Sequence, residues 1–147
     1  MSYNFFAYIA RMKYISRWGL MRNSVQENIQ EHSHMVAVLA HTLAVIRRDV
    51  LGADCDPGAA AVAALYHDAP EIFTGDLPTP VKYCNPEIRD AYKAVEAVSA
   101  DKLLSMLPTE LRPAYAPWLR EDYDPSLRAL VKAADKLSAH IKCLEEL

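Results

Sequence analysis

The adjacent pair His67-Asp68, in the stretch ALYHDAPEIFTGDLPTP, stands between His32 in a helical pattern upstream and Asp135 downstream. Two imidazoles and two carboxylates make a first shell for one divalent cation and leave coordination positions open. An ion with open positions activates water instead of merely bracing a fold. Neighbours on a helix point about 100° apart, so His67 and Asp68 reach one ion only near a helix end. His32 lies three residues before Met35 and seven before Leu39, on what the periodicity marks as a buried stripe. Asp135 sits mid-helix beside another apolar stripe, where a carboxylate without a partner is costly to bury. A cation shared with the two histidines removes that cost. His34 and His41 share a different face from His32, and His140 reads as a surface residue; none of the three joins the ligand set.

Further polar groups cluster after the pair. Glu71 follows Asp68 by three residues, so any helical turn brings it near the activated water, as general base or water-orienting group. A solvated glutamate is the plain alternative. Asp76, in Gly75-Asp76-Leu77-Pro78, either projects into a pocket or bonds its own loop backbone in an Asx turn. From spacing alone, Arg17 is a surface arginine at a helix end, and Trp18 is a core aromatic or a pocket wall. Gly-rich phosphate loops are absent.

These groups need a scaffold, and nearly every segment has helical period. A short first helix carries Phe5, Phe6, Ile9 and Met12 and ends near Trp18-Gly19. A long helix runs from about Asn28 to Leu51, with Met35, Leu39, Leu43 and Ile46 on its inner stripe and Gly52 as its stop. Asp56-Pro57 opens an Ala-rich helix reaching His67. Residues 70–86 hold four prolines and Gly75, which predicts a loop with one or two helical turns. Helices over about 86–106 and 110–119 follow, then one opened by Asp124-Pro125 with Leu127, Leu130, Ala134, Leu137, Ile141 and Leu144 inward. The expectation is one all-α domain over residues 1–147, a helical bundle with a Pro-rich active-site loop.

Composition narrows the class. The chain has 147 residues, 52% apolar and 24% charged, enough for one proper core. A net charge of −3 lacks the basic surplus of a duplex-binding protein and favours a small ligand over a nucleic-acid polymer. Cys55, Cys84 and Cys143 are too scattered for a disulfide framework or a thiolate zinc site, which suggests a reducing compartment. Arg11 and Lys13 interrupt any signal-peptide core, and no run approaches the roughly 20 apolar residues of a membrane span. The expectation is a cytoplasmic protein with no membrane partner.

The order His, His-Asp, Asp on an all-helical background resembles the HD-domain phosphohydrolases. ENIQEHSHMVA, LYHDAPEIFTGDLPTPVKY, LVKAADKLSAHIKCLEEL and the N-terminal RMKYISRWGLMRN are similar to the corresponding blocks of bacterial YfbR-type 5′-deoxynucleotidases. The resemblance spans essentially the whole chain, although family members continue past the final CLEEL, so the C-terminus at Leu147 reads as truncated. It implies metal ligands at His32, His67, Asp68 and Asp135 for one divalent ion. A His₂Asp₂ shell accepts Mn²⁺, Fe²⁺, Co²⁺, Ni²⁺ or Zn²⁺.

The resemblance further implies hydrolysis of deoxyribonucleoside 5′-monophosphates to deoxynucleoside and phosphate, by a homodimer. Arg17 would hold the phosphate with its forked donors, and Trp18 would wall off the sugar against a 2′-hydroxyl. Glu71 and Asp76 would be the catalytic carboxylates. Leu77, Pro78 and Thr79 would line the nucleotide pocket, together with His32, Asp68 and Asp135, and Lys82 is a weaker phosphate candidate. The alternatives are another HD-domain nucleotide hydrolase, acting on triphosphates or phosphodiesters, or a non-catalytic metal- or nucleotide-binding module. A two-metal phosphodiesterase needs more ligands than five histidines, two already assigned, readily supply.

Overall fold

Side-chain caps set where the helices of this chain begin. Asn28 accepts a hydrogen bond from Glu31 N at 2.8 Å and returns one to the Glu31 carboxylate at 2.6 Å, a reciprocal cap that starts α2. Asp56, Asn85 and Asp124 each cap a helix whose first residue is proline, where the missing N–H costs nothing. The computed structural model describes residues 4–147. Its helices are α1 (Phe5–Ile9), α2 (Ile29–Val45), α3 (Pro57–Tyr66), α4 (Glu71–Thr74), α5 (Thr79–Lys82), α6 (Pro86–Ser105), α7 (Arg112–Leu119) and α8 (Pro125–Glu145). A 3-10 segment (Ala10–Tyr14) extends α1, and a π-helical turn (Ile46–Val50) closes α2 before Gly52, which takes a φ of 69°. Among the described residues there is no strand, only an isolated antiparallel bridge between Ser16 and Asn28. The all-α expectation holds.

Two buried clusters flank the future site. One joins Phe5, Met12, Ile29, Ile72, Leu103 and Leu119; the other joins Val36, Ala40, Ala60, Ala63, Leu130 and Ala134. On α2, His32 falls between Ile29 of the first and Val36 of the second, and it is itself buried. Fully buried alanines on α2 and α3 let the two backbones pack closely. That approach brings the start of α2 beside the end of α3.

The expected inner stripes are met in part: Leu39 and Leu43 of α2 and Leu127, Leu130 and Ala134 of α8 belong to or pack against the core. On α2 the inward residues are Ile29, His32, Val36, Ala40 and Ala44, whereas Met35 and Ile46 are exposed. On α8 they are Leu130, Val131, Ala134, Ser138 and Lys142, whereas Leu137 and Leu144 face outward. Close helix packing favours small side chains at the contact, so Met35, Ile46, Leu137 and Leu144, expected inward for their bulk, are exposed.

Candidate metal centre

Three helices converge on one point. His67 is the C-cap of α3 and Asp68 the residue after it, and their side chains meet. His32 comes from the first turns of α2 and Asp135 from the middle of α8. His32 Nε2 lies 2.6 Å from Asp135 Oδ1 and 3.7 Å from Asp68 Oδ2. His67 Nε2 lies 3.2 Å from Asp68 Oδ2 and 3.7 Å from Asp135 Oδ1. Donors about 2.1 Å from a tetrahedral ion stand roughly 3.4 Å apart, within the range of these distances. Contrary to the expectation of burial, the Asp135 side chain is 41% exposed, so the centre opens to solvent on the α8 side.

Hydrogen bonding fits the donor set to a cation. His67 Nδ1 donates to Ala64 O at 2.6 Å, and His32 Nδ1 faces Ser138 Oγ at 3.2 Å and Glu27 Oε1 at 3.4 Å. Both outer nitrogens are thereby occupied and both Nε2 atoms point inward, that of His32 onto Asp135 Oδ1 at 2.6 Å in a contact that an ion would replace. His67 Nε2 and Asp68 Oδ2 are buried and have no hydrogen-bond partner. Buried polar atoms left so are costly unless something else takes them up. The residues present therefore suit a divalent ion.

Glu27 and Ser138 escaped the sequence reading. A glutamate just before an N-cap looks like loop surface. Ser138, one helical turn after Asp135, was within reach of an i, i+3 argument.

Arg17 and Trp18 lie on a turn fixed to the start of α2. Arg17 N donates to Glu27 O at 2.9 Å and Ile29 N to Ile15 O at 2.9 Å. The Arg17 Nε donates to the Glu27 carboxylate at 2.9 Å, and its guanidinium lies over the Trp18 ring. Trp18 has a φ of 66°, in the left-handed region that a bulky residue seldom adopts. Its buried Nε1 has no partner.

On α4, Glu71 is buried with Oε2 unpartnered, and Asp76 follows half-buried on the loop. Leu77 and Thr79 are exposed and Pro78 half-buried. Lys82 pairs with Glu96 at 3.2 Å and lies over Tyr92, which ties the loop to α6. A cleft of about 710 Å³ opens on His67, Asp68, Glu71 and Asp135 and reaches Lys93 and Lys132. Arg17, Trp18 and residues 76–79 are not among its walls.

The charges explain one another. Burial disfavours protonated His67 and His32, but the neighbouring carboxylates outweigh it and raise both above the ordinary histidine value, His67 strongly. The same histidines hold Asp135 and Asp68 low against the opposing effect of burial. Burial, then the charges of Asp68 and Asp76, push Glu71 up to about 9. Burial also raises Asp76, while Arg17 draws it back. Protons on the two histidines thus balance the two carboxylates, a role that a cation can take over.

The profile of the family described as 5′-deoxynucleotidase YfbR-like matches residues 4–147. The chain belongs to that family. It is 52% identical to a 5′-deoxynucleotidase of Vibrio cholerae over 145 residues, 98% of this chain and 75% of the relative. It is 50% identical to the 5′-deoxynucleotidase YfbR of Escherichia coli, covering 98% of this chain and 73% of that one. An HD-domain phosphohydrolase from Listeria innocua superposes with a TM-score of 0.85 at 25% identity, covering 97% of this chain and 68% of that one. The cyanophage S-2L HD phosphohydrolase DatZ, solved with dA and one catalytic Zn²⁺, superposes at 0.63 with 28% identity, covering 90% of this chain and 66% of its own. Family membership accords with the donor set described above.

Proposed function

We propose that this chain is a metal-dependent 5′-deoxynucleotidase, which hydrolyses deoxyribonucleoside 5′-monophosphates to deoxynucleoside and inorganic phosphate. The observation that carries the proposal is the grouping of His32, His67 and Asp135, with Asp68 beside them and the His67 and Asp68 ligand atoms buried and unpartnered, in a chain half identical to proteins of that name. His32 and His67 through Nε2, and Asp68 and Asp135 through their carboxylates, would hold one divalent ion. When bound, such an ion supplies Lewis acidity, acidifying water and polarising a phosphoryl oxygen.

The remaining work falls to the protein. Arg17 takes up phosphate oxygens with the guanidinium nitrogens that Glu27 leaves free. Trp18 packs beside the sugar and excludes a 2′-hydroxyl, and Leu77, Pro78 and Thr79 border the nucleoside with few base-specific donors. Glu71 has the strongest affinity for a proton among the carboxylates here. Neutralising Asp68 brings it down toward the range where a general base works best. It then accepts the proton of the water whose oxygen bonds to phosphorus. Asp76, raised by burial, protonates the 5′-oxygen as the P–O bond breaks. Lys82 adds positive charge near Glu71.

The proposal includes a homodimer and a cytoplasmic setting. Exposed Val38 and Leu137 support the first and three free thiols the second. Among the described residues, no helix is long and apolar enough to cross a membrane. Phosphate release from a panel of deoxy- and ribonucleoside mono- and triphosphates, with each candidate metal, tests the activity. Release confined to deoxynucleoside monophosphates is expected, and release from triphosphates alone would assign the chain to another HD hydrolase activity.

A further inference from the structure

A single carboxylate oxygen, Glu27 Oε1, stands 2.9 Å from Arg17 Nε and 3.4 Å from His32 Nδ1. It touches, on one side, the group assigned to the phosphate and, on the other, the outer nitrogen of a metal ligand. The Glu27 backbone grips Arg17 as well, through the bond from Arg17 N to Glu27 O.

The segment carrying Glu27 is pinned from both ends. Downstream, the Ser16–Asn28 bridge and the bond from Ile29 N to Ile15 O hold it to the Arg17 turn. Upstream, Glu146 at the end of α8 accepts from Ser24 N at 2.8 Å, Ser24 Oγ at 2.9 Å and Val25 N at 3.3 Å. Buried Lys142 donates to Val25 O at 2.6 Å and to the Glu146 carboxylate at 2.7 Å. A cation is seldom buried unless paired, and this one braces the segment that ends in Glu27. Neither Lys142 nor Glu146 lines the cleft at the ion site.

From this geometry we infer that Glu27 is a positioning residue which fixes the Arg17 guanidinium relative to the His32 imidazole, and so the phosphate relative to the ion. The inference rests on the reading of Arg17 as the phosphate-binding group. On the His32 side, the Glu27 carboxylate stands 3.4 Å from Nδ1 beside the Ser138 hydroxyl and orients the ring by its charge, as outer partners of metal-bound histidines do. On the other side, it orders a long side chain before substrate arrives, which spares the binding step that cost.

Glu27→Gln, Arg17→Ala and the double variant form the test. Metal affinity is read by competition with a chelating dye, and kcat and KM with dAMP. Glu27→Gln is expected to melt near wild type, to lose about 10–100-fold in metal affinity and to raise KM more than it lowers kcat at saturating metal. The double variant is expected to have a KM no worse than Arg17→Ala alone, because Glu27 acts through Arg17. Wild-type metal affinity in Glu27→Gln overturns the inference, and so do KM changes that multiply in the double variant. If Arg17→Ala alone leaves KM unchanged, the phosphate role of Arg17 falls, and the inference with it. That result is distinct from the multiplicative one, in which Arg17 binds phosphate without help from Glu27. Should Glu27→Gln melt below the assay temperature, Glu27→Asp enters the same cycle, judged by the same outcomes.

Discussion

His67 Nε2 and Asp68 Oδ2 lie 3.2 Å apart, both buried, and neither makes a hydrogen bond. Two such atoms so close, yet not bonded to each other, are aimed at a common third point. His32 Nε2 and Asp135 Oδ1 border the same point from α2 and α8. The His67 and Asp68 side chains meet at the end of α3, whose last residue is Tyr66 and whose C-cap is His67.

His67→Ala and Asp68→Ala should each abolish ion binding and turnover together while leaving helical content largely intact. The side chains lie at a helix end, outside both apolar clusters. Metal analysis beside circular dichroism checks this. A variant that keeps one ion per chain and the wild-type rate contradicts the ligand assignment.

Without metal, stability should fall as pH rises through neutrality. His32 and His67 are raised above 6.5, and Glu71 from 4.5 to about 9. Groups raised in the fold contribute stability that is full below their ordinary values and lost as pH climbs through the raised ones. Asp68 and Asp135, lowered from 3.8, act only at the acid end, where their contribution is lost as pH falls. Calorimetry in chelator between about pH 6 and 9 should show a declining Tm, with a shallower decline in Glu71→Gln. Bound metal should reverse the trend, since its ligands must be deprotonated. A metal-free Tm that climbs over this range refutes the charge assignment.

Trp18 offers a test of sugar selectivity through two substitutions. Trp18→Ala and Trp18→Gly should both raise kcat/KM for ribonucleotides relative to deoxyribonucleotides, with metal still bound. At a φ of 66°, glycine also relieves about 1 kcal/mol or more of backbone strain that alanine retains. Trp18→Gly should therefore melt higher than Trp18→Ala with the same altered ratio. Arg17→Ala should weaken both substrate types alike. An unchanged deoxy-to-ribo ratio in both Trp18 variants makes the indole a packing residue only.

Glu71→Gln should keep its metal and bind substrate while kcat drops roughly 10²- to 10⁴-fold, the range of an acid–base group. Metal titration followed by steady-state kinetics separates the outcomes. Loss of the ion instead would make Glu71 a ligand, and near-normal turnover would remove it from the reaction.

Much of this was legible in the chain. The caps at Asp56 and Asp124, side-chain acceptors ahead of a proline-started helical pattern, are local signals and fell where expected, and Asn28 and Asn85 cap α2 and α6 in the same way. The exposure of Met35 on α2, of Ile46 just after it, and of Leu137 and Leu144 on α8 was not legible. Which side of a helix is inward depends on how closely its neighbour approaches, and Ala40 against Ala60 and Ala63 decides that only in three dimensions. At the site, the His-Asp pair was visible because adjacency at a helix end has one geometric use. Glu27 was hidden because its two partners lie ten residues before it and five after, on a different element and in no periodic relation.

The most direct test of the central claim is phosphate release from dAMP and AMP by the metal-stripped chain, titrated with a single divalent metal such as Co²⁺ or Mn²⁺. No release in chelator, activity on dAMP that saturates at one ion per chain, and far weaker release from AMP are expected. Equal release in chelator, or equal rates on the two nucleotides at saturating metal, would contradict the claim.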